Sequence, residues 1–447
     1  MPLNSSIDSA ELVRKPLIIP RSEHTISRKQ IDREALKVLY RLRDEGYIAY
    51  LVGGGVRDIL LGKVPKDFDI STNAKPAQIR KIFRNSRIIG RRFQLVQVFF
   101  GGGKIVEVST FRCQSEFEVD GEDAVLPSNN IFGDSAEDAF RRDLTINALF
   151  YEIETFTVID HVGGVKDLND KIVRLIGDPQ RRIIRDPVRM MRVIRHAARA
   201  SFEIDPETFV AICQHRDKLL LCPVSRIRDE LFKDLSGGAC RRWAELAIAS
   251  GLFFVIFPFC KKVMADGPDA QKHCKFLYDM LDVVNRLVVE GRVVPEDLIL
   301  SALFLPWALS EPDLMAVKTQ KDSYLLSRRL RDSFAEALSY LNVKRSLLDS
   351  VSRGIATLPL IVNLKDGKVW PKWLKKKSYF EDGLLLYQMY NEAIGAKTLP
   401  SSELKLKADE DRSEPTFIKK SFARSGGPRG VAFAPSTVGG VFGFRKK

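Results

Sequence analysis

The chain has 447 residues, 45% of them apolar and 29% charged, and its 71 Lys+Arg against 57 Asp+Glu give a formal charge of +14. That length predicts two or three domains, and the cationic excess points to a polyanionic partner, nucleic acid first. With no apolar run of the ~18 residues a membrane span needs, a polar N-terminus unlike a signal peptide, and six cysteines without a Cys-x-x-Cys pair, the composition argues against a membrane protein, a disulfide scaffold and a zinc site, and for a cytoplasmic protein with reduced thiols.

Residues 1–25 read as a flexible leader. After them Ile31, Ala35, Leu36, Leu39 and Leu42 recur at helical spacing, with Ser27 as the expected N-cap and Gly46 as the stop. "IAYLVGG" predicts a strand, "VRDILLG" a short helix opened by glycines, "KDFDIS" a second strand and "KPAQIRKIFRN" a helix. "RRFQLVQVFF" and "KIVEVSTFR" predict two more strands, and an acidic loop without a clear period runs from Cys113 to Asn130. This mixed α/β head spans residues 26–175. Strand signals then fade. "RRIIRDPVRMMRVIRHAARASF" predicts a helix in a neck over 176–240, and apolar stripes at helical spacing continue through a body over 241–400. The stretch 401–447, rich in Gly, Pro, Ser and Arg, reads as a disordered basic tail.

Four constellations carry chemistry. Gly53, Gly54 and Gly55, followed by Arg57, stand at a strand-to-helix turn where backbone N–H groups can approach a phosphate. Asp67 and Asp69, two apart in an extended segment, point to one side and suit Mg²⁺, which takes one or two carboxylates and completes its shell with water and phosphate oxygens. A third acid is expected from Glu107, alternating with Val106 and Val108, or from Asp143 in "RRDLTINAL", where Asp143 and Asn147 read as one helix face beside Arg141 and Arg142. The stripe Arg185, Arg189, Arg192, Arg195 and Arg199 calls for an anion alongside, and Asp186 with Arg189 can read a base edge. In the body, "KDGKVWPKWLKKKSYF" sets Trp370 and Trp373 among lysines, a pattern suited to stacking and phosphate contact.

Taken in order, "GGGVRD", "KDFDIST", "VEVSTFR", "RRDLTINAL" and "RDPVRMMRVIR" resemble the class II nucleotidyltransferases, the group of bacterial poly(A) polymerases and tRNA CCA-adding enzymes. The resemblance covers roughly residues 27–235 and leans to the poly(A) polymerase branch. It implies a five-stranded mixed-sheet head with helices, then an all-α neck and body that grip RNA. It makes Asp67 and Asp69 the metal-binding catalytic pair and Asp143 the third active-site acid; Glu107, from its place in the strand pattern alone, is the candidate supporting acid, with a sheet-surface residue as the alternative. Gly54, Gly55 and Arg57 would contact the triphosphate, while Arg142, Asn147, Asp186, Arg189 and Arg192 would hold the incoming nucleotide. Two positions depart from the pattern: Arg185 stands where the group has Glu, and Gln97 where poly(A) polymerases often carry His.

The expected function is template-independent addition of AMP from ATP to RNA 3′ ends, with Mg²⁺ as cofactor and pyrophosphate as leaving group. The alternatives are a CCA- or A-adding tRNA nucleotidyltransferase and an RNA-binding protein with a retired active site. Retention of Asp67, Asp69 and Asp143 together argues against the last.

Overall fold

In the computed structural model, which describes residues 15–90, 94–113, 132–311, 313–363, 372–396 and Leu406, the strand-forming runs before residue 161 join one mixed sheet. Its strands are β1 (Leu17–Ile19), β2 (Ala49–Val52), β3 (Asp69–Thr72), β4 (Ser86–Ile89), β5 (Leu95–Phe99), β6 (Ile105–Thr110), β7 (Leu149–Glu152) and β8 (Thr157–Asp160), in the order β1-β8-β7-β2-β3-β6-β5-β4. β3 and β6 run parallel, whereas the other neighbouring pairs in this sheet are antiparallel.

The sheet therefore has eight strands rather than the expected five. Leu17–Ile19, within the segment read as a leader, pairs with Val158–Asp160 and extends one edge. A three-residue strand is too short to show a period, so β1 reads as leader from sequence alone. β4 follows directly on a helical pattern and is hidden by it. The first 14 residues, the acidic loop after Cys113, Trp370, and the tail apart from Leu406 lie outside the described residues.

Helices cover the sheet. Asp32, not Ser27, caps α1 (Arg33–Asp44): its carboxylate accepts from the amides of Glu34 and Ala35, while Ser27 caps a 3-10 turn over Arg28–Gln30. α1 buries Ala35, Val38, Leu39 and Leu42, and is followed by α2 (Gly54–Leu60), α3 (Pro76–Ile82) and α4 (Ser135–Arg141). The chain leaves the helix at Arg142 (ψ 166°) and makes a 3-10 turn over Thr145–Asn147 before β7. Asp143 and Asn147 thus do not share a helix face, contrary to their spacing.

Next come α5 (Gly164–Asn169), β9 (Ile172–Val173), α6 (Pro179–Arg185), α7 (Arg189–Ala200) and β10 (Glu203–Ile204), with β9 and β10 forming a small parallel pair. The single helix expected here is split, because Pro187 drives Asp186 out of the helical region (φ −147°, ψ 86°). α8 (Pro206–His215), α9 (Val224–Leu235) and α10 (Cys240–Ala249) lead into a helical body whose core includes Phe253, Phe257, Phe304 and Phe334. Trp373 packs half-buried against that core rather than standing out as a stacking platform. Among the described residues no helix is long and apolar enough to cross a membrane.

One buried carboxylate holds the turn that aims Asn147. Asp160 Oδ1 accepts the amides of Val162, Gly163 and Gly164 at 2.9–3.0 Å, and Oδ2 accepts that of Val165 at 2.9 Å. This seats Gly164 so close to the Thr145 carbonyl that a Cβ would lie 2.2 Å from its oxygen. Thr145 Oγ1 in turn donates to Asp167 on α5. Asp160→Ala orphans four amides and is expected to cost about 3 kcal/mol or more. Urea unfolding of the two proteins reads the difference directly, and Asp160→Asn should cost less because one acceptor remains.

Candidate active site

The parallel pairing of β3 with β6 decides which acids meet. It sets Asp69 beside Glu107, and β5 sets Gln97 on the other side of Glu107, where Gln97 Nε2 donates to Glu107 Oε1 at 3.0 Å. Asp67 lies just ahead of β3. The Asp69 carboxyl is pushed up to about 6, first by partial desolvation in the cleft and then by the Glu107 charge; Arg142 pulls it back and Asp67 adds a smaller push. Carboxylates crowded in this way favour a cation. Among the described residues no group of three or more His, Cys, Asp or Glu side chains is arranged to hold a metal ion. An ion of the Mg²⁺ kind needs only one or two protein carboxylates beside water and phosphate oxygens, and Asp67 and Asp69 offer that number.

The glycine turn borders this pair. Gly53 sits at φ 73°, where side chains are strained, and a Cβ on it would lie 3.3 Å from Arg142 Nη1 and 3.9 Å from Asp69 Oδ2. Gly55 packs on the Asp67 carbonyl, 3.3 Å from where its Cβ would be. Arg142 is held by Asp138 Oδ2 (2.9 Å), by Ser71 Oγ (3.1 Å) and by the Asn147 carbonyl (3.4 Å), and it covers the Phe150 ring. Arg57 reaches Asn147 Oδ1 at 2.6 Å and His196 Nδ1 at 3.2 Å. Burial, then the surrounding Arg57, Arg195, Arg199 and Arg192, push the His196 imidazole well below its ordinary range, so it is neutral and can accept at Nδ1.

Asn147 and His196 also line a cavity of about 230 Å³ with Asp143, Arg192, Arg195 and Glu230. Asp143 does not join the cleft carboxylates. It accepts from Arg189 Nε at 2.7 Å and Arg192 Nη1 at 2.5 Å, and these two cations hold its carboxyl down at about 2 against the opposing effect of burial. The arginine stripe turns inward as a ladder: Arg192 also reaches Glu230 at 3.5 Å, and Arg195 pairs with Glu230 and with Asp234 at 3.0 Å. Arg199 Nη2 ends on the Lys233 carbonyl at 2.5 Å. The expected solvent- or phosphate-facing stripe is therefore largely an internal seam between α7 and α9. Arg189 is likewise not paired with Asp186. Asp186 accepts from Arg226 at 2.9 Å through Oδ2, and its Oδ1 is buried without a partner among the described residues, with Arg185 exposed beside it.

The expected residues thus fall into two neighbouring groups. Asp67, Asp69 and Glu107 border the glycine turn with Arg142; Asp143, Asn147 and Arg192 line the cavity, with Arg57 and Arg189 bound to their side chains. Sequence reasoning missed Ser71, Asp138, His196 and Glu230. His196 stands four residues after Arg192, a helical spacing that could have marked it. Ser71 and Asp138 reach the site through Arg142, and no local pattern announces that.

Residues 49–174 match the family described as "Poly A polymerase head domain", and residues 201–264 match "Probable RNA and SrmB- binding site of polymerase A". The chain is 39% identical over 372 residues to poly(A) polymerase I of Escherichia coli O157:H7, covering 81% of this chain and 79% of that one. It is 41% identical over 375 residues to poly(A) polymerase I of Salmonella typhimurium, with the same coverage. A CCA-adding enzyme of Bacillus pumilus is 36% identical over 298 residues, covering 66% of this chain and 70% of the relative. Among solved structures, a tRNA-processing enzyme in an apo form shares the fold with a TM-score of 0.58 at 23% identity, over 83% of this chain and 91% of that one.

The Asp143 contacts carry a pH signature. A carboxyl lowered from 3.8 to about 2 stabilises the fold fully above its unfolded value and loses that contribution as pH falls from about 4 towards 2. The shift corresponds to about 2 kcal/mol. Asp143→Asn is expected to lower stability by roughly that amount at pH 7 and to flatten the decline of Tm through the acid window. Thermal unfolding at stepped pH shows whether the two curves converge near pH 2.

Proposed function

The chain belongs to the nucleotidyltransferase family of the poly(A) polymerases and CCA-adding enzymes, and from that premise we propose that it is a template-independent polynucleotide adenylyltransferase acting on cytoplasmic RNA 3′ ends. The 3′ hydroxyl of RNA attacks the α-phosphorus of ATP; the new bond joins that phosphorus to the 3′ oxygen, the bond to the bridging α–β oxygen breaks, and pyrophosphate leaves. Identity of 39–41% to poly(A) polymerase I over 81% of the chain carries the choice of adenylate addition over CCA addition.

The crowded cleft supports roles for individual residues. Asp67 and Asp69 would hold a divalent ion such as Mg²⁺, with Glu107 as the supporting acid rather than Asp143; when bound, such an ion polarises the attacking hydroxyl and the phosphate. The hydroxyl proton leaves towards the Asp69 and Glu107 carboxylates. Gly54 and Gly55 give the triphosphate close backbone approach, and Arg57 and Arg142 set positive charge beside it. Arg189 and Arg192, anchored on Asp143, frame the nucleotide with Asn147, and the unpartnered Oδ1 of Asp186 is the candidate acceptor for the amine of a base once the neighbouring side chains open to it. Residues 26–175 would serve as the catalytic head, 176–240 as the neck, and 241–400 with the basic tail 401–447 as the RNA-holding part.

Offered ATP alone with an unstructured RNA, the protein should produce a ladder of long products. With CTP alone, or with a tRNA lacking its CCA end, extension should stop short; a single added CCA triplet on that tRNA would overturn the adenylation reading. Asp67→Ala and Asp69→Ala should each lower kcat by roughly a thousandfold, about 4 kcal/mol of transition-state stabilisation, with RNA affinity nearly unchanged. Single-turnover extension and a binding titration on the same proteins separate those effects.

A further inference from the structure

The body holds a second cationic site that the catalytic reading does not use. The helices Gln320–Ala337 and Arg345–Val362 pack antiparallel, tied by Ser323 Oγ to the Ala356 carbonyl at 2.9 Å near one end and by Arg331 to Asp349 at 3.4 Å near the other. Their spacing brings one face of each to the seam: Tyr324, Arg328 and Arg331 from the first, Arg345, Asp349 and Arg353 from the second, at steps of three or four residues. Two adjoining cavities of about 550 and 290 Å³ follow this seam and share Tyr324, Ser327 and Arg353. Lys377 and Tyr379 border the larger one.

The charge there is unbalanced. Four guanidiniums face one carboxylate, Asp349, and that carboxylate is taken by Arg331. Arg328, Arg345 and Arg353 make no ion pair among the described residues and are exposed. Like charges gathered in this way repel unless an anion lies along them. Tyr324, 60% exposed, and the half-buried Tyr379 add aromatic faces to the same groove. From Gln320 to Arg331 the seam runs about 16 Å at the helical rise, longer than a single phosphate needs. Spaced cations with aromatic rings between them are the arrangement that holds a single strand, with phosphates on the charges and bases on the rings.

We propose that this groove holds a single-stranded stretch of the RNA substrate behind its 3′ end, with phosphates on Arg328, Arg345 and Arg353 and a base on Tyr324. The assignment rests on the RNA-adding reading for the identity of the strand, but it is tested by binding alone. The probe is a fluorescently labelled oligoadenylate with a blocked 3′ end, titrated against the full chain at several salt concentrations. Replacing Arg328, Arg345 and Arg353 together by Ser should weaken binding about tenfold or more and lower the slope of log affinity against log salt by about 2, as loss of three single-strand phosphate contacts requires. Replacing all three by Lys should retain the slope, and Tyr324→Ala should weaken binding several-fold with the slope unchanged. Extension of a primer only a few nucleotides long, too short to reach the groove, should keep its kcat in the Ser variant. Unchanged affinity and slope in the Ser variant would overturn the proposal and leave an acidic protein segment as the groove's occupant. A protein that shows the expected binding losses but adds no AMP to any RNA would refute the catalytic reading and leave the groove standing.

Discussion

Carboxylates on neighbouring parallel strands repel one another, and the cleft of this protein is built around that repulsion. Parallel pairing of β3 with β6 forces Asp69 against Glu107, and Asp67 stands close enough to add to the field. Among the described residues Arg142 is the cation that opposes them, and Asp138 and Ser71 hold it in place. The site is left short of positive charge. The turn beside it needs glycine at position 53, where the backbone sits at φ 73°.

The Asp67–Asp69 pair and the glycine turn were legible as neighbours because their placement is local. Asp67, Asp69 and the glycine run need only a strand, a turn and a two-residue period. Choosing the third acid was not legible. Glu107 reaches Asp69 through a parallel pairing between segments far apart in the chain, and no local period records which strands will be neighbours. Asp143 was misplaced for a different reason. The spacing to Asn147 is helical, but the chain leaves the helix at Arg142 and closes a 3-10 turn braced by Thr145 and Asp167. Tertiary bracing overrode spacing there.

The arginine stripe shows the same limit from another side. Five arginines at helical spacing read as a surface awaiting an anion, and Arg189, Arg192 and Arg195 receive carboxylates from within the chain. Glu230 and Asp234 on α9 are also four residues apart, so two helices with matching periods mesh charge to charge. Burial then makes the seam demanding: each acid left without a cation would be an uncompensated charge in a poorly solvated place. Along the groove of the body, by contrast, the lining beside Arg328, Arg345 and Arg353 offers a single carboxylate, Asp349, already committed to Arg331.

The seam is redundant in an uneven way. Asp143 is gripped by Arg189 as well as Arg192, and Glu230 by Arg195 and Lys233 as well as Arg192, so Arg192 is the rung whose loss strands neither acid. Asp234 has no such reserve among cations, since Arg195 is its ion-pair partner and Trp243 adds only a neutral hydrogen bond. Arg192 also forms part of the cavity wall. Evolutionary drift is therefore channelled: the wall can change at this rung without dismantling the seam, whereas Arg195 one turn further on is locked. A lineage reshaping this cavity would find its first permissive step at position 192.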